Sequence, residues 1–148
     1  MELIQVNENK KQFLELLLLA DEEEAMIDKY LERGDMYALL DGEKAAAVCV
    51  ITREGEDEME IKNVAVDPSY QKKGLGKRII DEVWAKYPEA KTLFVGTGDS
   101  PMTVPFYERC GFVRHHVIPN FFTDNYPEPI VECGITLKDM VVLAKTRE

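Results

Sequence analysis

Cysteine is scarce in this sequence. The three cysteines, Cys49, Cys110 and Cys133, are odd in number and follow no regular spacing. Neither a disulfide framework nor a zinc site built from paired cysteines fits such a pattern, and unpaired thiols are typical of a reducing compartment. We therefore expect a cytoplasmic protein without a structural metal.

Long apolar runs are also missing. The leucines at 16–19 lie in a charged segment and fall far short of the ~20 residues that cross a bilayer. The first residues lack the basic and then apolar pattern of a signal peptide, and no repeat, low-complexity tract or linker divides the chain. The sequence therefore predicts no membrane partner and one domain covering residues 1–148.

Positive charge is the third shortage. The chain has 28 acidic and 18 basic side chains, which give a formal net charge of −10. Because phosphate contacts dominate nucleic-acid affinity, we expect no nucleic-acid partner and a better fit to a cation such as an amine. One dense basic cluster in the first two thirds of the chain is the exception: Lys72, Lys73, Lys77 and Arg78.

That basic cluster lies in a strand–turn–helix pattern. Residues 64–66 end an alternating stretch, and Asp67-Pro68 stops the strand because proline has no N–H to donate to a ladder. From Leu75 the apolar residues fall on one helix face. The turn carries Gly74 and Gly76, and a helix start offers unpaired N–H donors and partial positive charge. The pattern therefore predicts an anion site, with a basic helix cap that binds nothing as the alternative.

Other phosphate motifs do not fit this turn. The P-loop requires Gly-x-x-x-x-Gly-Lys-Ser/Thr, whereas Arg78 follows Lys77 here. The dinucleotide fingerprint requires a third glycine, which is missing at the required spacing. A nucleotide-binding module is therefore disfavoured.

The turn resembles the acyl-CoA signature of the GCN5-related N-acetyltransferase (GNAT) family. The family pattern is Gln/Arg-x-x-Gly-x-Gly/Ala, and Gln-Lys-Lys-Gly-Leu-Gly at 71–76 fits it in full. The resemblance implies acetyl-CoA as co-substrate, with its pyrophosphate at the turn and its pantetheine arm pairing with the edge of the preceding strand. The implied cofactor contacts in this part of the chain are Val64, Ala65, Val66, Gln71, Lys72, Lys73, Gly74, Leu75, Gly76 and Lys77.

The order of predicted elements resembles the same fold from end to end. Strands are predicted at 3–6, 36–40, 44–52, 58–66, 92–97, 112–118 and 140–145. Helices are predicted from a cap at Asn7 or Asn9 to about residue 20, and at 22–33, 75–86 and 101–110. Asp21 is expected to cap the second helix, with Ala25 inward. The resemblance implies the α/β acyl-CoA N-acyltransferase fold, a mixed, mostly antiparallel sheet with splayed central parallel strands and flanking helices.

A second signature follows the strand at 92–97. Residues 105–112, Pro-Phe-Tyr-Glu-Arg-Cys-Gly-Phe, are similar to the family's Phe-Tyr-x-x-x-Gly-Phe segment. By this resemblance Tyr107 is the general acid that protonates the departing CoA thiolate, with a core tyrosine as the alternative. Ser100 stands where the family often has asparagine, and Ser100, Phe106 and Arg109 are further cofactor contacts on the resemblance, although Phe106 also suits packing.

A base is also needed, because an alkylammonium has a pKa near ~10.4 and has to lose a proton before it attacks a thioester. Some family members use a glutamate six residues before the valine that precedes Asp-Pro, and that count from Val66 reaches Glu60. The alternative for Glu60 is a solvent-facing strand carboxylate. His115 and His116 are the other candidates for the base and rank below it.

Residues 119–134 are rich in aromatic side chains and too long for a hairpin turn. In the resembled fold this connection borders the acceptor side of the active site. Three interpretations stay open: site lining, in which aromatic walls and carboxylates hold a cation; packing of the aromatics on one another; and a homodimer contact. The side chains concerned are Phe121, Phe122, Asp124, Tyr126, Glu128 and Glu132.

These patterns together predict an acetyl-CoA-dependent N-acetyltransferase that acts on a primary amine by direct attack. A backbone N–H near Val66 would meet the oxyanion. Cys49 and Cys110 lie in apolar patterns, which favour packing over a nucleophilic role. The alternative is a non-catalytic acyl-CoA-binding regulator of the same fold. The acceptor stays open among polyamines, aminoglycosides, amino acids and protein N-termini.

Overall fold

The computed structural model describes residues 1–147, which form two compact units, residues 1–90 and the chain from Lys91 onward. The first unit contains β1 (Glu2–Val6), a 3-10 turn (Lys10–Phe13), α1 (Leu14–Ala20), α2 (Glu24–Asp28), β2 (Asp35–Asp41), β3 (Lys44–Arg53), β4 (Glu58–Val66), a 3-10 turn (Pro68–Tyr70) and α3 (Leu75–Trp84). The second unit contains β5 (Thr92–Gly98), α4 (Val104–Arg109), β6 (Val113–Ile118), α5 (Phe121–Asn125), β7 (Val131–Glu132), β8 (Ile135–Thr136) and β9 (Met140–Thr146).

The strands of the first unit form an antiparallel sheet in the order β1-β2-β3-β4. Asp41 pairs with Lys44 across a two-residue turn, where Gly42 takes the positive φ of 64° that a tight hairpin requires. Residues 45–52 of β3 are all buried. This strand is therefore covered on both faces, which agrees with its run of small and β-branched residues.

Helices provide that cover. Leu17 of α1 and Ile27 of α2 pack in one apolar cluster with Val48 and Val50 of β3. α3 also contacts β3 and β4, and its apolar stripe is buried, as the helical spacing predicts. The core therefore holds both the end of β4 and the start of α3. The predicted anion site lies between these two points.

The second helix is shorter than the sequence predicts. It covers Glu24–Asp28 rather than residues 22–33. Beyond its end the chain continues as turns with both i→i+3 and i→i+4 bonds, and Tyr30 is buried there. Asp21 does not cap the helix, because its carboxylate accepts the hydroxyl of Tyr30 at 3.2 Å. Ala25, which was expected inward, is exposed.

The strands of the second unit form an antiparallel sheet in the order β5-β9-β6. The predicted antiparallel pairing of residues 112–118 with residues 140–145 is confirmed. The helix predicted at 101–110 begins only at Val104, because residues 101–103 form a turn. Segment 119–134 contains α5 and β7, and β7 forms a small hairpin with β8. Within residues 1–147 no helix has both the length and the apolar character of a membrane span.

Candidate functional site

The turn that leaves β4 begins with a capped 3-10 segment. Asp67 donates its N–H to Ala46 O at 2.8 Å, and its carboxylate accepts from the Ser69 hydroxyl at 2.6 Å and the Ser69 N–H at 2.9 Å. These bonds from Ser69 hold the pKa of Asp67 below its ordinary value. Pro68 occupies the first position, where no N–H is needed. The strand therefore stops at Val66, as predicted.

Gly74 opens α3 in a left-handed conformation. Its φ is 76°, which favours glycine, and its carbonyl accepts the N–H of Arg78 at 3.1 Å as the first helical bond. No heavy atom lies within 4 Å of the place where a Cβ would stand. Since the first N–H groups of a helix have no acceptor within it, this helix start offers donors and open space to an anion.

The cations of this turn are in part already paired. Lys77 Nζ lies 2.6 Å from Asp81 Oδ2, and Arg78 Nε lies 2.6 Å from Glu82 Oε2. These four side chains and Gly74 line a surface depression of about 320 Å³. The basic cluster is therefore less positive than its sequence suggests. Exposed i,i+4 pairs contribute only about 0.3–0.5 kcal/mol each, so an anion competes with them readily.

Gln71, Lys72 and Lys73 are exposed, whereas Leu75 and Gly76 are buried in the first turn of α3. Two of the exposed residues hold the shape of the turn. Gln71 donates its side-chain N–H to Val66 O at 3.2 Å, which ties the turn back to the end of β4. Lys73 Nζ lies 5.5 Å from the ring centre of Tyr70. Lys72 takes a positive φ of 64°, an uncommon conformation for a lysine. The loop is therefore ordered by its own contacts.

A β-bulge in β4 changes which residues share a face. Val50 of β3 pairs with Asn63, but Thr52 pairs with Glu60, and the register shifts between residues 50 and 51. Residues two apart on a strand point to the same side, so Val50 and Thr52 share a face and so do their partners. Glu60 therefore lies on the face of Asn63, which packs against α1.

Glu60 is ion-paired on that face. Its Oε2 lies 2.8 Å from Lys62 Nζ, and both side chains are half-buried. Thr52, opposite Glu60, donates its hydroxyl to Glu54 at 2.6 Å, and Arg33 lies 3.0 Å from the same carboxylate. Burial opposes ionisation of Glu54, but the bonds from Thr52 and Arg33 hold its pKa below its ordinary value. The predicted base therefore lies in a charged cluster.

Asn63 forms a buried hydrogen-bond network. Its amide donates to Leu17 O at 2.9 Å and to the Tyr30 hydroxyl at 3.1 Å, and Tyr30 donates to Asp21 at 3.2 Å. Burial is the main cause that raises the pKa of Tyr30. Asn63 Oδ1 is buried and has no partner among the described residues. The sequence analysis did not single out Asn63, although an asparagine followed by Val64 and Ala65 in a predicted strand was a signal.

Tyr107 of the second unit is buried in an aromatic cluster. Its ring meets Phe106 at 5.1 Å and Phe112 at 5.8 Å between centroids, both edge to face. Phe112 donates its N–H to Tyr107 O at 3.1 Å past Gly111, whose φ of 98° closes the helix. The aromatic contacts and the closed end of the helix thus hold the ring of Tyr107 in place. Arg109, on the same helix, is exposed.

Ser100 closes the turn that precedes α4. It is buried, its hydroxyl accepts the N–H of Met102 at 3.0 Å, and its carbonyl accepts the N–H of Val104 at 3.3 Å. Thr103 donates its hydroxyl to Gly98 O at 3.2 Å in the same turn. The structure therefore gives Ser100 a local role in positioning α4.

The competing base and nucleophile candidates lie elsewhere. His115 and His116 are exposed on β6, and their Nδ1 atoms are 2.7 Å apart. Burial raises the pKa of the Cys49 thiol to about 12, which suppresses the thiolate that a nucleophile requires. Among residues 1–147 no group of three or more His, Cys, Asp or Glu side chains is arranged to hold a metal ion.

The aromatics of segment 119–134 pack on one another. Phe121 and Phe122 lie 5.2 Å apart, and Phe122 and Tyr126 lie 5.6 Å apart, between centroids. Phe122 also donates its N–H to Lys138 O at 2.9 Å. Asp124 and Glu128 are exposed, and Glu132 Oε2 is buried without a partner among the described residues. The contacts agree with the packing interpretation and leave the acceptor role open.

Comparison with known proteins shows the family to which the chain belongs. The acetyltransferase (GNAT) domain model matches residues 32–114. The uncharacterized N-acetyltransferase YvbK of Bacillus subtilis strain 168 is 38% identical over 139 residues, 92% of this chain and 90% of that protein. The chain belongs to the GNAT family.

Solved GNAT structures extend this result to the fold. An acetyltransferase from Elizabethkingia anophelis with acetyl-CoA bound has a TM-score of 0.93 and 33% identity, over 99% of this chain and 97% of that one. A Bacillus subtilis acetyltransferase in complex with CoA has a TM-score of 0.90 and 37% identity, over 99% of both chains. The GNAT fold predicted from the order of elements is confirmed.

Both predicted signatures lie inside the matched GNAT domain. The structure places Glu60, Val64, Ala65 and Val66 on β4 and residues 71–77 at the start of α3, all in the first unit. It places Ser100 before α4, and Phe106, Tyr107 and Arg109 on α4, all in the second unit. Lys62 is the charged neighbour of Glu60 that the sequence analysis missed. The sequence did contain a signal for this ion pair, because Lys62 lies two positions after Glu60 in the same predicted strand.

Proposed function

We propose that this GNAT member transfers the acetyl group of acetyl-CoA to a primary amine of a small molecule or peptide. One observation carries the proposal: Gly74 leaves an open helix start in a chain that matches, over nearly its full length, acetyltransferases solved with acetyl-CoA and with CoA. The diphosphate binds the turn at Gln71–Lys77, where the N–H groups and Lys72 and Lys73 neutralise it. The pantetheine arm pairs with the backbone of residues 64–66.

In this proposal the amine attacks the thioester directly. Glu60 takes a proton from the ammonium, directly or through water, and the C–N bond forms as the carbonyl oxygen gains negative charge. A backbone N–H near Val66 stabilises that charge. The C–S bond then breaks and Tyr107 protonates the thiolate. The second proton lost by the nitrogen returns to the Tyr107 oxygen, while the proton taken by Glu60 is released to solvent. An ammonium and acetyl-CoA thus give an amide, CoA thiol and one released proton.

A thiol-release assay tests this proposal. Purified protein is incubated with acetyl-CoA and a broad panel of amines, while free thiol is followed and CoA binding is measured by calorimetry. We expect CoA to bind and thiol to appear only when an accepted amine is present. CoA binding without acetylation of any amine would favour the non-catalytic regulator, which the acetyltransferase relatives disfavour.

Two further properties are part of the proposal. We propose the reducing cytoplasm as the place of action, supported by the free thiols of Cys49 and Cys133, and cell fractionation tests it. The homodimer contact predicted for residues 119–134 stays a prediction. Sedimentation velocity measures it directly.

A further inference from the structure

Lys62 and Glu60 form an ion pair that is half-buried on both sides. The side chain of Lys62 is 23% exposed and that of Glu60 is 26% exposed, and their charged atoms are 2.8 Å apart. By contrast, one partner or both have more than 40% of the side chain exposed in the ion pairs of Lys11, Arg33, Arg53, Arg78 and Arg114 and in the Lys77–Asp81 pair. Lysine is seldom shielded from water unless it is paired, so a ligand that takes Glu60 away from Lys62 has to supply another anion.

The pair has an unsatisfied neighbour on the same strand face. The bulge in β4 places Asn63 and Glu60 on the same face of the strand. Their positions along the strand are roughly 7 Å apart. Asn63 is 3% exposed, and its Oδ1 lacks a donor among residues 1–147. A cation, a carboxylate and a free hydrogen-bond acceptor therefore occur together on this face. An ammonium needs an acceptor, which the partly exposed Glu60 provides, whereas Asn63 Oδ1 is closed off from a ligand. Lys62 then needs a new anion.

A zwitterion satisfies both charged groups at once. In an α-amino acid, bond lengths place the amino nitrogen about 3 Å from the nearer carboxylate oxygen. The charges of Glu60 and Lys62 are separated by a similar distance. A zwitterion can therefore replace the Glu60–Lys62 pair by two ion pairs, ammonium with Glu60 and carboxylate with Lys62. No buried charge is then left unpaired. A diamine would bring a second cation towards Lys62, and a neutral-tailed amine would leave Lys62 without its partner.

We propose that the acceptor is an α-amino acid or a similarly compact zwitterion, whose anionic group binds Lys62 while its ammonium binds Glu60. This inference rests on the proposed N-acetyl transfer, because Glu60 is the base there. Lys62 is then a specificity-determining residue. It selects a carboxylate beside the reacting nitrogen and rejects diamines.

Binding can be measured apart from activity. Calorimetry with CoA present uses the twenty proteinogenic amino acids, their amides, and 1,4-diaminobutane as probes. We expect at least one amino acid to bind about tenfold or more tightly than its own amide. Lys62→Met should reduce that ratio to near one, and Lys62→Arg should restore most of it. Lys86→Met, an exposed lysine beyond α3, is the matched control and should leave the ratio unchanged.

The outcomes separate this inference from the function on which it rests. Binding of an amino acid with loss of discrimination in Lys62→Met supports it, provided that this variant still binds CoA with unchanged affinity. Equal binding of amino acids and amides, tighter binding of the diamine, or no amino-acid binding at all overturns it. Thiol release with other amines would then leave the acetyltransferase proposal standing. Selective binding without any acetyl transfer would instead contradict the acetyltransferase proposal.

Discussion

Glu60 and Asn63 lie on the same face of β4 although they are three positions apart. Their partners on β3, Thr52 and Val50, are only two residues apart, and a bulge absorbs the extra residue. The half-buried ion pair of Glu60 and Lys62 therefore lies on the same strand face as the buried hydrogen bonds of Asn63. A carboxylate that a regular strand would turn away from Asn63 thus joins the polar face on which we place the acceptor.

Replacement of Gly74 by alanine should weaken CoA binding more than it weakens the fold. The positive φ of 76° makes any side chain costly, by about 1–2 kcal/mol of unfolding free energy. The added Cβ also occupies the space through which the ligand reaches the backbone, so we expect CoA affinity to fall about tenfold or more. Urea unfolding and calorimetry measure the two effects.

Gly42 offers a matched control for that variant. It also has a positive φ, of 64°, and open space where a Cβ would stand, but it lies in the β2–β3 hairpin. Gly42→Ala should show a similar loss of stability with unchanged CoA affinity. An equal loss of CoA affinity in both variants would contradict an anion site at Gly74.

Tyr107→Phe should lower kcat by about a hundredfold or more, because the thiolate loses its proton donor. The edge-to-face contacts of the ring with Phe106 and Phe112 need no hydroxyl, so we expect the fold to be retained. Steady-state kinetics across pH and thermal unfolding provide the measurements. Unaltered turnover at every pH would remove Tyr107 from the mechanism.

Thr52→Val should destabilise the protein by about 1 kcal/mol at neutral pH, through loss of the 2.6 Å bond to Glu54. The folded-state pKa of Glu54 lies below its ordinary value of 4.5, so its ionised form stabilises the fold above that pH. This contribution disappears as the pH falls through the folded-state pKa. The difference between variant and wild type should therefore shrink below about pH 4. A difference that stays constant from pH 7 to pH 3 would show that the carboxylate is not involved.

Gly98→Ala should destabilise the second unit by about 1–3 kcal/mol. A Cβ at Gly98 would lie 2.6 Å from Leu137 Cδ1, and Leu137 is buried. Leu137→Ala in the same chain removes the clash, so the double variant should lose less stability than the sum of the single ones. Additive losses in chemical denaturation would argue against direct contact.

The sequence by itself determined the local parts of the site. Asp67-Pro68 ends a strand, Gly74 permits a left-handed helix start, and Gly111 closes α4, because these effects depend on neighbours in the chain. The order of elements, together with two motifs, was enough to predict the GNAT fold. The second helix was predicted too long because residues 22–33 have helical spacing, whereas the chain after Asp28 forms irregular turns that bury Tyr30 and end at Gly34.

Only the tertiary structure decided the surroundings of Glu60. The bulge shows in the register of β3 against β4, and no local pattern in residues 58–66 records it, since more buried and less buried residues alternate through the bulge. The pairing of Lys77 and Arg78 with carboxylates one turn later likewise depends on the helix being formed. Contacts between residues distant in the chain are set by packing, and so they lie beyond what spacing along the chain can show.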